Sequence, residues 1–127
     1  MKNLRTLFIT FVIFLFISGC QTVKQKTDAA IEKENEAKAA LMYSEIDRNP
    51  LFDGFAAKED RSTMNATFTL NTPELKDTFE AMAKEAGLNG INGHRSVGGY
   101  RASMYNALPI ASVQALVDVM KTLEQNA

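Results

Sequence analysis

The chain has few of the residues on which disulfides, metal sites and hydrolytic active sites depend. Its 127 residues include one cysteine, one histidine and no tryptophan. A single cysteine, Cys20, excludes an internal disulfide. The histidine, His94, has no second imidazole, thiol or carboxylate pair at ligand spacing around it, so no metal site is expected. It would also have to serve as the base for every candidate serine or cysteine nucleophile, so a hydrolase triad is not supported.

The chain also lacks a surplus of positive charge. Its 14 lysines and arginines are balanced by 15 aspartates and glutamates, and the formal net charge is −1. No stretch combines a basic stripe with interleaved aromatic residues, and Arg95 and Arg101 form only a local pair. Nucleic acid is therefore not an expected partner.

The N-terminal residues have the features of a bacterial export signal. Lys2 and Arg5 precede an almost unbroken apolar run over residues 7–17. This run is shorter than the ~20 residues that a membrane-spanning helix needs, so an export signal is favoured over a transmembrane helix. The ending Ile-Ser-Gly-Cys at residues 17–20 resembles a bacterial lipobox.

The lipobox resemblance implies that Cys20 is lipidated and that the protein is a membrane-anchored lipoprotein, periplasmic or at the cell surface. We therefore predict a signal peptide over residues 1–20, a polar tether over 21–27 and one domain over 28–127. The alternative is an uncleaved anchor in which Cys20 is an ordinary thiol.

The first half of the domain predicts a helix followed by a strand. Asp28 can cap a helix in which Ala, Glu and Lys dominate as far as Ile46, and Asn49, followed by proline, ends it. Residues 51–61 indicate an irregular connection, and residues 64–70 alternate as in a strand with one buried face. The apolar positions of the helix spread widely around it, which predicts packing on more than one side, or exposed apolar surface with oligomerisation or poor solubility. These positions are Ile31, Ala37, Leu41, Met42, Tyr43 and Ile46.

The second half predicts two more helices and two more strands. Thr72, followed by proline, begins a helix that Gly87 stops. Residues 88–92 form a short candidate strand, residues 100–105 a clearer one, and Pro109 opens the last helix. The apolar face of that helix consists of Val113, Leu116, Val117, Met120 and Leu123. The order of elements predicts an α+β fold, with a small mixed or antiparallel sheet and helices packed on one face.

A glycine-rich segment over residues 93–106 is the most informative stretch. Gly93, Gly98 and Gly99 permit positive φ and a close approach of the backbone to a ligand. The spacing of the first two matches a nucleotide-binding phosphate loop, but Gly99 and Tyr100 stand where that loop requires Lys and Ser or Thr. A nucleotide-binding loop is therefore rejected.

Three side chains in this segment are suited to anions. His94, Arg95 and Arg101 supply donors that match phosphate and carboxylate oxygens. The alternative is a tight turn between strands in which both arginines are merely solvated. Residue spacing alone does not choose between these two interpretations.

A family resemblance favours the functional interpretation. Residues 93–107 read GHRSVGGYRASMYNA and resemble the C-terminal signature of phosphoserine aminotransferase, GHRxVGGxRASxYNA. Residues 31–43 are similar to the helix that enters the small domain of that family, and residues 61–65 are similar to its RSxMN strand entry. The resemblance covers residues 28–127 and implies the small C-terminal domain of a fold-type-I aminotransferase.

The resemblance also assigns roles to the three side chains. It implies that His94 and Arg95 bind the phosphate of phosphoserine or phosphohydroxypyruvate, in some members across a dimer interface. It implies that Arg101 binds the α-carboxylate. Phosphoserine, phosphohydroxypyruvate or other small anions are thus the expected ligands.

The resemblance implies as well that the catalytic machinery lies elsewhere. Enzymes of this family use pyridoxal phosphate, and its Schiff-base lysine, pyridine-binding aspartate and stacking aromatic belong to a large domain that the matched residues do not include. Lys76, Lys84 and Lys121 match none of these positions. We therefore expect no catalytic residue, no cofactor held by these residues and no transamination by this chain alone. The alternatives are one subunit of a split phosphoserine transaminase with a large-domain partner, or a periplasmic anion-binding lipoprotein.

Overall fold

A computed structural model describes residues 27–127. The predicted signal peptide, the lipidation site Cys20 and residues 21–26 of the predicted tether lie outside these residues. The chain divides into two compact units, residues 1–33 and residues 34–127, and the fold presented here is that of the second. Across residues 27–127, every helix is too short or too polar to cross a membrane.

Residues 27–48 are helical, and this helix is named α1. The predicted helix is confirmed, and Thr27, just before its predicted start, is helical as well. From residue 34 onward, Ala37 is the one predicted apolar position that is exposed, while Leu41 and Tyr43 are half-buried. Buried side chains recur every three or four residues along α1 and just past its end, at Asn35, Lys38, Ala39, Met42, Glu45, Ile46 and Asn49.

The predicted exposed apolar face of α1 is not found in residues 34–127. Instead, the large apolar side chains that are exposed there lie on other elements: Phe55, Met64, Val97, Tyr105 and Ile110. Oligomerisation remains a prediction, to be checked by size-exclusion chromatography with light scattering.

The sheet of the described chain has three antiparallel strands in the order β1-β2-β3. They are β1 (Phe52–Gly54), β2 (Asn65–Leu70) and β3 (Tyr100–Ser103). The register places Phe52 opposite Leu70 and Ala66 opposite Ala102. Alternate residues of β2 and β3 are buried, which confirms the predicted strands with one face toward the core.

The prediction of an irregular connection over residues 51–61 is wrong at its start. Phe52 is 2% exposed and pairs with β2, so a three-residue edge strand forms where alternation is too short to be recognised. Residues 58–60 also form a short 3₁₀ helix. The pairing with β2 therefore determines that residues 52–54 are extended.

Helix α2 (Lys76–Glu85) follows a 3₁₀ turn at Pro73–Leu75, and Gly87 ends the segment in the left-handed region with φ of +77°. The predicted strand over residues 88–92 is wrong. It makes one isolated bridge, from Asn92 to Tyr100, and otherwise runs as a loop.

Helix α3 (Ile110–Asn126) begins after Pro109, as predicted, and all five of its predicted core residues are buried. The core lies between the helices and the inner face of the sheet. Its centre is an aromatic cluster in which neighbouring ring centroids are 4.9 to 5.8 Å apart, formed by Phe52, Phe68, Phe79 and Tyr100. The predicted α+β class is thereby confirmed.

Candidate anion-binding site

Residues 93–99 form a closed loop that leads into β3. The Gly93 amide donates to the Gly99 carbonyl at 2.8 Å and closes the base of the loop. At its tip, the His94 carbonyl accepts hydrogen bonds from the Val97 amide at 2.9 Å and the Gly98 amide at 2.8 Å. These bonds hold the backbone of an exposed segment in a defined shape without using its side chains.

The glycines of this loop are needed for two different reasons. Gly98 and Gly99 have φ of +76° and +64°, where a side chain would be strained. Gly93 does not have a positive φ, but a Cβ there would lie 2.1 Å from the Gly98 carbonyl oxygen. A Cβ on Gly99 would lie 2.7 Å from the Phe68 carbonyl oxygen. Gly93 therefore permits a close approach of backbone to backbone. Gly99 permits such an approach and a positive φ as well.

His94 is held by its own loop with one ring nitrogen facing outward. Its Nδ1 lies 2.7 Å from Ser96 Oγ and accepts a 3.3 Å hydrogen bond from the Ser96 amide. A nitrogen that accepts cannot carry the proton, so these contacts favour the tautomer with hydrogen on Nε2. Nε2 is then a donor available to an anion.

His94 and Arg95 line one cleft of about 490 Å³ beside the loop. The same cleft is also lined by Lys76 and Glu80 of α2 and by Tyr100 of β3. The Tyr100 hydroxyl donates to Glu80 Oε1 at 3.3 Å. Burial of the ring, and then the nearby Glu80 carboxylate, raise the pKa of Tyr100 to about 12, so the hydroxyl remains a donor at neutral pH.

Arg101 lies on the outer face of β3 and is exposed. It lines a second pocket of about 250 Å³, which also includes His94, Val97 and Phe55. It lines a third groove of about 370 Å³ on its other side, between β3 and α3. The structure thus places His94 and Arg95 in one cleft and Arg101 in an adjoining pocket, with His94 lining both.

Neither Arg95 nor Arg101 pairs with a carboxylate anywhere in residues 27–127. Their planar guanidinium groups can each bind an oxyanion through two parallel hydrogen bonds. The described chain contains no group of three or more His, Cys, Asp or Glu side chains placed to hold a metal ion.

The sequence reasoning missed the buried polar side chains that support this site. Lys38 is fully buried, and its Nζ donates to the carbonyls of Tyr105 at 2.8 Å and Leu108 at 3.0 Å. Asn35 Nδ2 donates to Asn106 Oδ1 at 2.7 Å. Both fix the turn that follows β3. Asn35 and Lys38 are three residues apart, and Met42 continues this pattern along α1. This helical spacing was the signal that could have placed both polar residues on the buried face of the helix.

The fold and the loop define the class of protein: an α+β domain like the C-terminal small domain of aminotransferases. No protein-family model matches the chain. The phosphoserine aminotransferase of Flavobacterium johnsoniae is 61% identical over 115 residues, which are 90% of this chain and 32% of that protein. That of Parabacteroides distasonis is 48% identical over 126 residues, 94% of this chain and 36% of that protein.

Solved structures agree with the sequence comparison. A phosphoserine aminotransferase studied for radiation damage of its Schiff base is 51% identical, with a TM-score of 0.71 over 75% of this chain and 27% of its own. The enzyme from Bacillus circulans subsp. alkalophilus has a TM-score of 0.70 at 41% identity. The chain corresponds to the C-terminal part of phosphoserine aminotransferase, and it spans about a third of the length of the curated relatives it matches.

The described residues do not fit the cofactor that the resemblance implies. The aromatic residue of the cleft, Tyr100, is 5% exposed and its ring packs against Phe68 and Phe79, so it offers no face for a pyridine ring. The buried Lys38 is engaged with two backbone carbonyls.

Proposed function

We propose that this chain provides the part of a phosphoserine aminotransferase that binds the substrate's anionic groups. His94 and Arg95 bind the phosphate, and Arg101 binds the α-carboxylate. The observation that carries the proposal is the position of His94, which lines both the cleft of Arg95 and the pocket of Arg101. A small ligand with two anionic groups can therefore reach all three side chains.

The chemistry of the site supports this assignment. Arg95 and Arg101 are always charged, and each offers a fork of donors to a phosphate or carboxylate. The Nε2 of His94 adds one donor between them. Since neither guanidinium is paired with a carboxylate among the described residues, an anion does not have to displace an internal partner.

Calorimetric titration with O-phosphoserine tests the proposal. We expect binding in the millimolar range or tighter, and a loss of about tenfold or more in affinity for Arg95→Ala and for Arg101→Ala, since each removes a charged hydrogen-bonding group. Lys84→Ala, an exposed change on α2 outside the cleft, is the matched control and should bind as the unaltered chain does. Absence of heat, or binding indifferent to both arginine changes, would overturn the proposal.

We also propose that these 127 residues do not transaminate by themselves. The support is that they correspond to about a third of their relatives, and that the described residues do not fit the cofactor. Purified chain supplied with pyridoxal phosphate, glutamate and phosphohydroxypyruvate should form no phosphoserine. Measurable turnover by the isolated chain would contradict this.

A split enzyme is the alternative proposal. It is compatible with a match that covers only about a third of the relatives' length. If a separate large-domain chain exists, co-expression with this one should restore phosphoserine transaminase activity that neither chain shows alone. Inactivity of the mixture under conditions where both chains are folded would remove this alternative.

The membrane location rests on the lipobox-like residues 17–20. We propose that Cys20 is lipidated and tethers the domain to a membrane surface. Mass spectrometry should find a diacylglyceryl group on Cys20, and Cys20→Ser should move the protein from the membrane fraction to the soluble fraction. An unmodified thiol in the native protein would contradict the lipoprotein proposal.

A further inference from the structure

The cleft beside the glycine loop is lined by a negatively charged side chain as well as by cations. Glu80, on α2, lines the cleft together with His94 and Arg95. Its Oε1 accepts the hydrogen bond from the Tyr100 hydroxyl and lies 4.0 Å from Lys76 Nζ. The cations proposed to hold phosphate and this carboxylate therefore face the same cavity.

Glu80 is held in place yet open to a ligand. Tyr100 is nearly buried and positions Oε1, whereas Oε2 accepts no hydrogen bond from the described residues. The Lys76 side chain is 62% exposed and at the limit of ion-pair distance, so its attraction to Glu80 is weak in water. A ligand cation can compete with Lys76 for this carboxylate, and Lys76 can turn toward a bound phosphate instead.

We propose that Glu80 binds the ammonium group of a ligand whose phosphate lies on His94 and Arg95, which makes the cleft selective for phosphate esters that carry an amine. This inference rests on the proposed function, since it needs the phosphate at that position. A ligand without the amine leaves a carboxylate facing a phosphate, and like charges in one cleft repel. The contact needs no carboxylate on the ligand, because Arg101 lies outside this cleft.

Two matched pairs of ligands test this inference by calorimetric titration of the whole chain. O-phosphoserine and 3-phosphoglycerate differ in an ammonium against a hydroxyl group. Phosphoethanolamine and ethyl phosphate differ in an ammonium against a hydrogen, and neither carries a carboxylate. In each pair we expect the ligand with the amine to bind about fivefold more tightly. This is the change in affinity that a favourable solvent-exposed ion pair produces.

Variants on α2 assign the preference to one side chain. Glu80→Gln keeps an acceptor for the Tyr100 hydroxyl but loses the charge, so the amine and the amine-free ligand should bind equally. Glu85→Gln removes the same charge from the same helix outside the cleft and should keep the preference. Lys76→Gln should weaken every phosphate ligand, and it should keep or increase the preference, because it removes the cation that competes for Glu80. Circular dichroism confirms that each variant is folded.

The outcomes separate the role of Glu80 from the proposed phosphate site. Equal affinities within both pairs for the unaltered chain, or a preference that survives Glu80→Gln, overturn the inference while the proposed phosphate site stands. An equal loss of preference in Glu85→Gln also overturns it, because the effect would then be general electrostatics. If no phosphate compound binds, the proposed function itself fails and this inference fails with it.

Discussion

The four arginines of this domain and its buried Lys38 fall into two groups that differ in what surrounds them. Lys38, Arg48 and Arg61 are each held by the protein, through backbone carbonyls, Glu45 with Glu124, and Asp47 respectively. Arg95 and Arg101 are exposed and have no carboxylate partner among residues 27–127. The first group stabilises the fold, and the second is free to meet a ligand.

The difference shows why charge alone does not identify a binding residue. A buried cation must have its hydrogen bonds satisfied, so its partners are internal and its loss is costly. An exposed arginine that lacks a partner contributes little to stability, so its presence in a defined loop calls for another explanation. Four predictions test this division, from the largest expected effect to the smallest.

Replacing Lys38 by alanine should have the largest effect. The change leaves the carbonyls of Tyr105 and Leu108 without their donor and creates a cavity, so we expect the free energy of unfolding to fall by about 3 kcal/mol. Urea denaturation measures this. Lys84→Ala, an exposed lysine on α2, should change stability by less than about 0.5 kcal/mol, and equal effects of the two changes would contradict the division.

The loop that presents Arg95 should depend on Gly99. Gly99→Ala places a Cβ 2.7 Å from the Phe68 carbonyl oxygen at φ of +64°, so we expect a loss of about 2 kcal/mol or more. Gly90→Ala has a similar φ of +72° but open space around it, and should cost only about 1 kcal/mol. Indistinguishable losses in thermal denaturation would show that the close approach to β2 does not matter.

The ion pair of Arg61 with Asp47 should be visible as a pH effect. The Arg61 hydrogen bonds hold the pKa of Asp47 below its usual value. The stabilisation is therefore present at pH values above the ordinary carboxyl pKa, and it is lost as the pH falls through the lower pKa of the folded state. It should be small, because the pair is partly exposed.

Carboxyl NMR titration checks this assignment. The pKa of Asp47 should rise in Arg61→Ala and rise less in Lys58→Ala, since Lys58 is 77% exposed and 3.4 Å away. An Asp47 pKa that is unchanged by Arg61→Ala would show that the ion pair does not form in solution.

Removing the unpaired arginines should have the smallest effect on stability. Arg95→Ala and Arg101→Ala should each shift the free energy of unfolding by less than about 0.5 kcal/mol, because neither side chain has an internal partner. The same variants are expected to lose phosphoserine affinity. A marked loss of stability in either variant would place that arginine in the first group, with Lys38, Arg48 and Arg61.

Local sequence patterns predicted the elements that bury a regular apolar face. The five apolar residues of α3 are all buried, and β2 and β3 alternate as expected. The patterns failed where a strand depends on pairing with a segment that is distant in the sequence. Residues 52–54 form a strand because β2 lies beside them, whereas residues 88–92 meet β3 only at their end, through Ile91 and Asn92, and otherwise remain a loop.

For the candidate site, the sequence by itself determined which side chains could bind anions, because the glycine positions and the types of His94, Arg95 and Arg101 are local properties. Only the tertiary structure decided how they are grouped. It placed Arg101 in an adjoining pocket, brought Glu80 from α2 into the cleft of Arg95, and gave the buried Lys38 its carbonyl partners. A local pattern could at most indicate that Lys38 is on the buried face of α1. Its carbonyl partners and the proximity of distant segments arise only when the elements pack, so no local pattern could have supplied them.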